Sequence, residues 1–361
     1  MSRKTKDSIV KGLIYGSAGF TVLILVVIIG FIVVKGLPGI SLDFLTRDYE
    51  DKTTYVVVNT DVDAGELRSG EVAGLGVRLQ ATEERQLEIV NIDSDSPLKS
   101  AADMNGNSYG LKKGDLLVTA QDLENSQMRL KVVRPGGGIV PMVVTTLYMI
   151  GLSLLVAAPI GILSAVYLIE YAKPGKLMSA IHFAIQNLAG IPSIIYGLFG
   201  SLFFVRVCGF QYSLLAGALT LSIILLPTII TTTEEALKTI PRTYRESSLG
   251  LGATKLQTVT KIVLPNALPG ILVAVLLSIG RIVGESAALL LTAGTVAQIP
   301  GALFGNSASG ATLTIKMYTL MKEENDLTTA CAIGIVLLVI IIALNFLSKL
   351  VTNKLLRKKG A

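Results

Sequence analysis

The chain has 361 residues, 51% of them hydrophobic and only 16% charged, with a mean hydropathy of +0.63. Soluble domains carry about 25% charged residues, so an ordinary water-soluble enzyme is excluded. A disordered chain is excluded too, because it would not hold this much apolar surface. The 32 basic and 26 acidic residues leave +6, but in a membrane protein the placement of charges matters more than their sum.

Six stretches reach the roughly 20 mostly apolar residues that a crossing helix needs. Gly12 to Val34 is the first, uncharged between Lys11 and Lys35. It is too long for the apolar core of a signal peptide, and no A-x-A site follows it. The second lies in the uncharged run from Pro135 to Ile169, most simply from Val140. The third fits between Lys176 and Arg206, and the fourth between Val207 and Thr233. The fifth starts near Pro265, runs through Arg281 and Glu285, and ends near Ala293. The sixth is Leu327 to Ser348.

Six crossings put both termini on one side. Arg3, Lys4, Lys6 and Lys11 precede the first span, and Lys349, Lys354, Arg357, Lys358 and Lys359 follow the last. The loop between spans four and five carries Lys238, Arg242, Arg245, Lys255 and Lys261. Basic residues collect in cytoplasmic loops, which places both termini and this loop in the cytoplasm of a multi-pass plasma-membrane protein. Cys208 and Cys331 both sit in apolar runs far apart, so no disulfide framework is implied.

Between Gly36 and Gly138 the pattern changes to alternating runs such as Thr54-Tyr-Val-Val-Val and turn signals such as Lys113-Gly-Asp. That predicts short strands joined by turns, in a small folded insert outside the cytoplasm. The expected organisation is an N-terminal tail and first helix over 1–35 and an external insert over 36–138. A five-helix membrane region over 139–349 and a basic tail over 350–361 follow.

The insert resembles a PDZ domain. Gly74-Leu75-Gly76-Val77 matches the carboxylate-binding loop, Ser96-Pro-Leu with Ala101-Ala the short helix, and Gly110-Leu-Lys-Lys-Gly-Asp-Leu-Leu-Val the G-D turn and strand. Met128 to Gly136 looks like the closing strand. Too few residues separate Val118 from that strand for the second helix of a PDZ domain, so strand addition is lost or altered here. The alternative is a decorated outer loop.

Within the loop 234–265, Pro241 ends one helical piece, a short helix runs from about Thr243, Gly252 breaks it, and a second short helix leads to Pro265. One reading is a compact knob for a partner; the other is an interfacial connector with Arg245 and Lys255 on lipid headgroups. The spacing separates them. Glu246-Ser247-Ser248, then Gly252, then Ile262-Val-Leu264-Pro265 fits the EAA–G–I-x-L-P loop of ABC importer permeases, with two serines in place of two alanines. In that family the loop docks on the ATPase subunit and carries its closure to the membrane helices.

The remaining membrane sequence resembles the phosphate-importer permeases, closer to the PstA type than to its partner type. The carrying segments are Thr145-Thr-Leu-Tyr, Tyr167-Leu-Ile-Glu-Tyr-Ala, Asn187-Leu-Ala-Gly-Ile-Pro-Ser, Leu249-Gly-Leu-Gly-Ala-Thr-Lys-Leu-Gln-Thr and Arg281-Ile-Val-Gly-Glu-Ser. The resemblance implies an all-α polytopic membrane protein of the type I ABC importer (MetI-like) fold, with six transmembrane helices plus the small mostly-β PDZ-like domain. It implies a sister permease, two ATP-binding subunits that hold ATP and Mg, and an external phosphate-binding protein. The cargo would be inorganic phosphate, moved by alternating access in a bacterial or archaeal membrane. Another oxyanion or polar solute, or a PDZ-bearing scaffold or receptor, is the alternative.

No P-loop sequence occurs in the chain, so it is expected to bind no cofactor itself, to have no catalytic or metal-ligating residues and to be no enzyme. Nucleic acid is not an expected partner; membrane lipid is. The single histidine, His182, has no H-E-x-x-H around it, which argues against a membrane zinc protease, and is expected at an interface. Arg281 lies about 24 Å along the fifth span from Pro265 at about 1.5 Å per residue. A charge at that depth costs at least about 2.5–3.5 kcal/mol and must face protein, water or an opposite charge. Glu285, four residues on, is expected to partner it on the same face. The pair then either lines the anion path, as the family's R-x-x-G-E position implies, or locks the span to its neighbour.

Overall fold

An apolar run with no proline makes α1 (Arg3–Gly36) one helix of 34 residues. The structure is a computed structural model and describes residues 3–359 apart from 50, 83–85, 105, 124–125 and 306–307. Nothing is described of the side chains of 3–10, 348 and 351–359, so the basic residues Arg3, Lys4, Lys6, Lys354, Arg357, Lys358 and Lys359 lie outside the described side chains. The chain divides into two compact units, Asp43–Val140 and the remainder. Gly36 to Leu42, expected in the insert, therefore belongs with the helical unit.

The smaller unit follows α2 (Leu42–Thr46) with seven strands: β1 (Lys52–Asn59), β2 (Gly70–Val72), β3 (Val77–Ala81), β4 (Leu87–Ile92), β5 (Ala102–Asp103), β6 (Leu116–Leu123) and β7 (Gln127–Arg134). They form one antiparallel sheet in the order β2-β3-β4-β6-β7-β1-β5. Period-two alternation sets which face is buried. In β7, Met128, Leu130 and Val132 point inward, and Leu130 lies opposite Val56 of β1. Leu75, Leu79, Ile89, Leu98 and Leu111 complete this core. The Ser96 hydroxyl donates to Leu75 O at 2.6 Å and accepts from Leu98 N, which starts a single helical turn over Pro97–Ser100.

In the larger unit α3 (Val140–Val166) continues through a wider turn to Tyr171. Next come α4 (Lys176–Gly190) and α5 (Ser193–Gly200), the latter extended to Val207, then α6 (Leu214–Lys238). The sequence after α6 forms α7 (Arg242–Gly250) and α8 (Lys255–Thr258). Beyond it lie α9 (Leu264–Gly284), α10 (Ala287–Leu290), α11 (Leu313–Lys322) and α12 (Leu327–Lys359). Among the described residues five helices are long and apolar enough to cross a membrane, or six if α4 and α5 are one bent span.

The structure corrects both ends of the fifth span and adds detail to the third and the last. The third is not straight: α4 and α5 meet at 97°. Pro192 pushes Ile191 out of the helical region, to φ −70° and ψ 129°, and supplies no N–H to carry the helix on. The fifth does not begin anew at Pro265, because the helix is continuous from Lys255 to Gly284. A π-helical turn over Val259–Val263 absorbs the hydrogen bond that Pro265 cannot make. Nor does it run to Ala293; it stops at Gly284 and Glu285 is extended. The last helix continues beyond Ser348 to Lys359 without a break.

α6 lies at the centre of the helical unit, with Leu221, Ile224, Leu225 and Ile229 buried. α1, by contrast, exposes its apolar stretch on every side and packs against α12. A Cβ on Gly36 would come within 2.5 Å of the Cys331 carbonyl carbon, so the end of α1 can approach α12 this closely only as glycine. Asp326 Oδ1 accepts from Thr329 N at 3.0 Å and opens α12. Hydrogen bonds from the Thr329 side chain and then its backbone hold this carboxyl below its ordinary value. A carboxylate with a depressed folded value stabilises above its unfolded pKa, and that contribution disappears as pH falls through the folded value. Asp326→Ala should therefore lower stability by about 1 kcal/mol near neutral pH. Thermal unfolding in detergent should show the difference between variant and parent shrinking below pH 4.

Candidate functional site

The loop between α6 and α9 is built from local signals. α7 ends in a Schellman motif: Gly252 N donates to Leu249 O and Ala253 N to Ser248 O. That motif needs a left-handed residue, and Gly252 supplies it at φ +85°. Thr254 then begins α8 with a capping box, exchanging hydrogen bonds with Gln257. Buried Ser248 meets Thr258 across the break, Oγ to Oγ1 at 2.9 Å, and ties the two helices into one body.

Of the residues predicted to form the coupling loop, Glu246, Ser247 and Gly252 are exposed, while Ser248 is buried. Ile262, Leu264 and Pro265 are half-buried in the helix that leads away. The loop also shows an apolar face to the outside: Leu251 is 89% exposed, and Tyr244, Leu249 and Leu256 are exposed as well. Apolar side chains gathered on one surface mark a contact site.

The anchor of this loop is an ion pair with a residue 75 positions away. Arg245 is not a free headgroup contact. Its Nε and Nη2 donate to Glu170 Oε1 at 2.9 and 2.7 Å. It also donates to Ile240 O and Leu237 O, at 2.8 and 3.0 Å. Both partners are well covered, with side-chain exposures of 19% and 8%. The pair fastens α7 to the end of α3 and forms one wall of a cleft of about 340 Å³ that also includes Lys238, Arg242 and Glu246. Lys255 lies over the Tyr171 ring, 5.0 Å from its centre. The signal for Glu170 was available: it is the sole acid between Pro135 and Thr233, and an isolated charge in an apolar run requires a partner.

Arg281 sits near the end of α9, half-buried, and its Nη1 donates to Thr228 Oγ1 of α6 at 3.3 Å. The expected Arg281–Glu285 ion pair does not form. With the helix ended at Gly284, Glu285 leaves the face that four-residue spacing would have given it. Its Oε1 instead accepts from Ala288 N at 3.2 Å, and its carbonyl accepts from Thr314 Oγ1 at 3.0 Å. No acid lies within ion-pair distance of Arg281 among the described residues. His182, on α4, has Nδ1 at 3.7 Å from the buried carboxylate of Glu234 on α6.

In the β unit, Gly74 and Leu75 form a tight turn, Gly76 is left-handed at φ +56°, and Val77 starts β3. Leu75 and Val77 point into the core. Val62 covers the turn so closely that a Cβ on Gly74 would overlap it. β3 is hydrogen-bonded on both edges, by β2 and β4. Only three residues join β6 to β7, and among the described residues no helix lies between these strands. An added strand at β3 has no free edge to pair with.

The family described as binding-protein-dependent transport system inner membrane component matches residues 157–358. Over 162 residues the chain is 37% identical to YqgI of Bacillus subtilis, a "probable ABC transporter permease protein"; the match covers 45% of this chain and 55% of that one. Over 218 residues it is 34% identical to the phosphate transport system permease protein PstA 1 of Mycobacterium tuberculosis, covering 60% of this chain and 70% of that protein. A chain of the MetNI methionine ABC transporter in an inward facing conformation superposes with a TM-score of 0.47 and 21% identity, over 60% of this chain and 94% of that one. The family match runs from within α3 through the helix–glycine–helix loop to α12, and the chain belongs to the family of binding-protein-dependent transport system inner membrane components.

Proposed function

We propose that this chain is the membrane-spanning permease subunit of an ATP-driven importer of inorganic phosphate, working by alternating access. The coupling loop carries the reading: a rigid helix–glycine–helix body presents Leu249, Leu251 and Leu256 outward and is fastened by Arg245 to Glu170. Such a body can pass a push from a partner ATPase to α3 and α9. Phosphate as cargo is supported by the names of the PstA relatives and by Arg281, which pairs with no acid among the described residues and whose planar fork suits an oxyanion. The chain itself would do no covalent chemistry.

The partners on this reading are a sister permease, two ATP-binding subunits holding ATP and Mg, and an external phosphate-binding protein. The location is the plasma membrane, multi-pass, with both termini and the coupling loop in the cytoplasm. The β unit, PDZ-like in its G-D turn, would then lie outside and bind no peptide along β3. Copurification with an ATPase subunit, together with phosphate uptake measured against sulfate and arsenate as competitors, tests the assignment. Uptake insensitive to competing phosphate analogues, or no ATPase in the complex, would reject it.

Gly252 gives a sharper check on the coupling role. Its Cβ direction is open space, so Gly252→Leu meets no clash, but a left-handed conformation at a non-glycine residue costs about 1–2 kcal/mol. The expected result is a folded membrane part whose transport no longer responds to ATP. Normal coupling in that variant would remove the docking role from this turn.

A further inference from the structure

The β unit contains a cavity of about 520 Å³ that no transport role uses, among α2, the Gly110–Asp115 turn and the junction of β7 with Pro135. Three acids line it, and each is already engaged. Asp43 Oδ1 takes Arg47 Nε at 3.0 Å, and Asp48 pairs with Lys52. Buried Asp115 takes Nε and Nη2 of Arg134 at 2.8 and 2.7 Å, and also accepts from Lys112 N. Five cations line the same cavity, so two remain in excess. Lys112 and Lys113 are exposed and their ammonium groups have no partner among the described residues.

Two guanidinium corners are also uncommitted. Arg47 Nη2 reaches Lys113 O at 3.4 Å and Arg134 Nη2 reaches Gly110 O at 3.0 Å, while Nη1 of each makes no hydrogen bond among the described residues. Arg134 is held in place by Asp115 and by the Tyr109 ring, 4.5 Å from its Cζ. The Tyr109 hydroxyl is itself buried with no hydrogen-bond partner, a state that costs free energy unless something completes it.

We infer that this cavity is an oxyanion site that takes a phosphate group. Two fixed guanidinium corners and two mobile lysines supply the donors, and the two excess charges match the roughly −1.5 to −2 of a phosphomonoester near neutral pH. A volume of this size falls in the about 300–1,000 Å³ range of small-ligand pockets. It admits hydrated inorganic phosphate or the phosphomonoester headgroup of phosphatidic acid, which present the same dianion. The site is separate from Arg281 and does not depend on the transport reading.

The test uses the full chain carrying Arg281→Ala, so that phosphate held in the helical unit does not contribute. In one arm the protein is placed in phosphatidylcholine nanodiscs and radiolabelled inorganic phosphate is measured by equilibrium dialysis at low salt. In the other, retention of phosphatidic acid is measured by native mass spectrometry. Lys112→Gln with Lys113→Gln should weaken binding at least tenfold, while Lys112→Arg with Lys113→Arg should retain it. Loss in the first arm identifies free phosphate as the ligand, and loss confined to the second identifies the lipid headgroup. Equal binding by the glutamine variant and its parent in both arms overturns the site.

Discussion

Arg281→Ala should bring phosphate uptake down by at least about a hundredfold, the equivalent of losing one or two charge-assisted hydrogen bonds at about 1.5–3 kcal/mol each. Arg281 is half-buried, bonded through one nitrogen to Thr228, and faces no acid within ion-pair distance among the described residues. A cation at this place in an apolar span is costly to keep. A pair with Glu285 does not form because α9 ends at Gly284, while the bond to Thr228 joins α9 to α6. Arg281→Lys keeps the charge without the fork and should give an intermediate rate. Assembly with the ATPase and nucleotide binding there should survive in both variants, which radiolabelled uptake and copurification together would read. Normal uptake by Arg281→Ala would remove it from the anion path.

The second large effect is expected at Arg245. Removing one member of a buried ion pair leaves the other uncompensated and costs about 3–5 kcal/mol. Arg245→Ala would strand the Glu170 carboxylate and also take one donor each from the Ile240 and Leu237 carbonyls, the latter keeping the Ile240 amide. The loop would then no longer move with α3, so ATP hydrolysis in the complex should continue without transport. Glu170→Gln with Arg245→Ala should be less damaging than the sum of the single changes, because contacting residues are not additive. A thermal-stability double-mutant cycle, paired with the ratio of phosphate moved to ATP hydrolysed, measures both parts. Additive effects and an unchanged ratio would show that the pair carries no coupling.

Residue order alone made several features legible. Apolar length marked the crossing segments, the switch to period-two alternation marked the β unit, and the glycine at 252 with its flanking pattern marked the loop. These are local signals: each depends on a few neighbouring side chains and on the backbone geometry that they permit. Gly252 at φ +85° is the same statement made in sequence and in angles.

The rest depended on residues far apart in the chain. Four-residue spacing brought Arg281 and Glu285 together on an uninterrupted helix, yet the Ala288 amide and the Thr314 hydroxyl hold Glu285 where that helix has already ended. Glu170 and Arg245 are 75 positions apart, and no periodicity connects them. The G-L-G-V turn matches a carboxylate-binding loop in residue order, but it is the fold that brings Val62 and β2 over it. Burial, edge pairing and charge neutralisation are satisfied by whichever segment folds back to the spot, and a linear pattern does not encode which one that is.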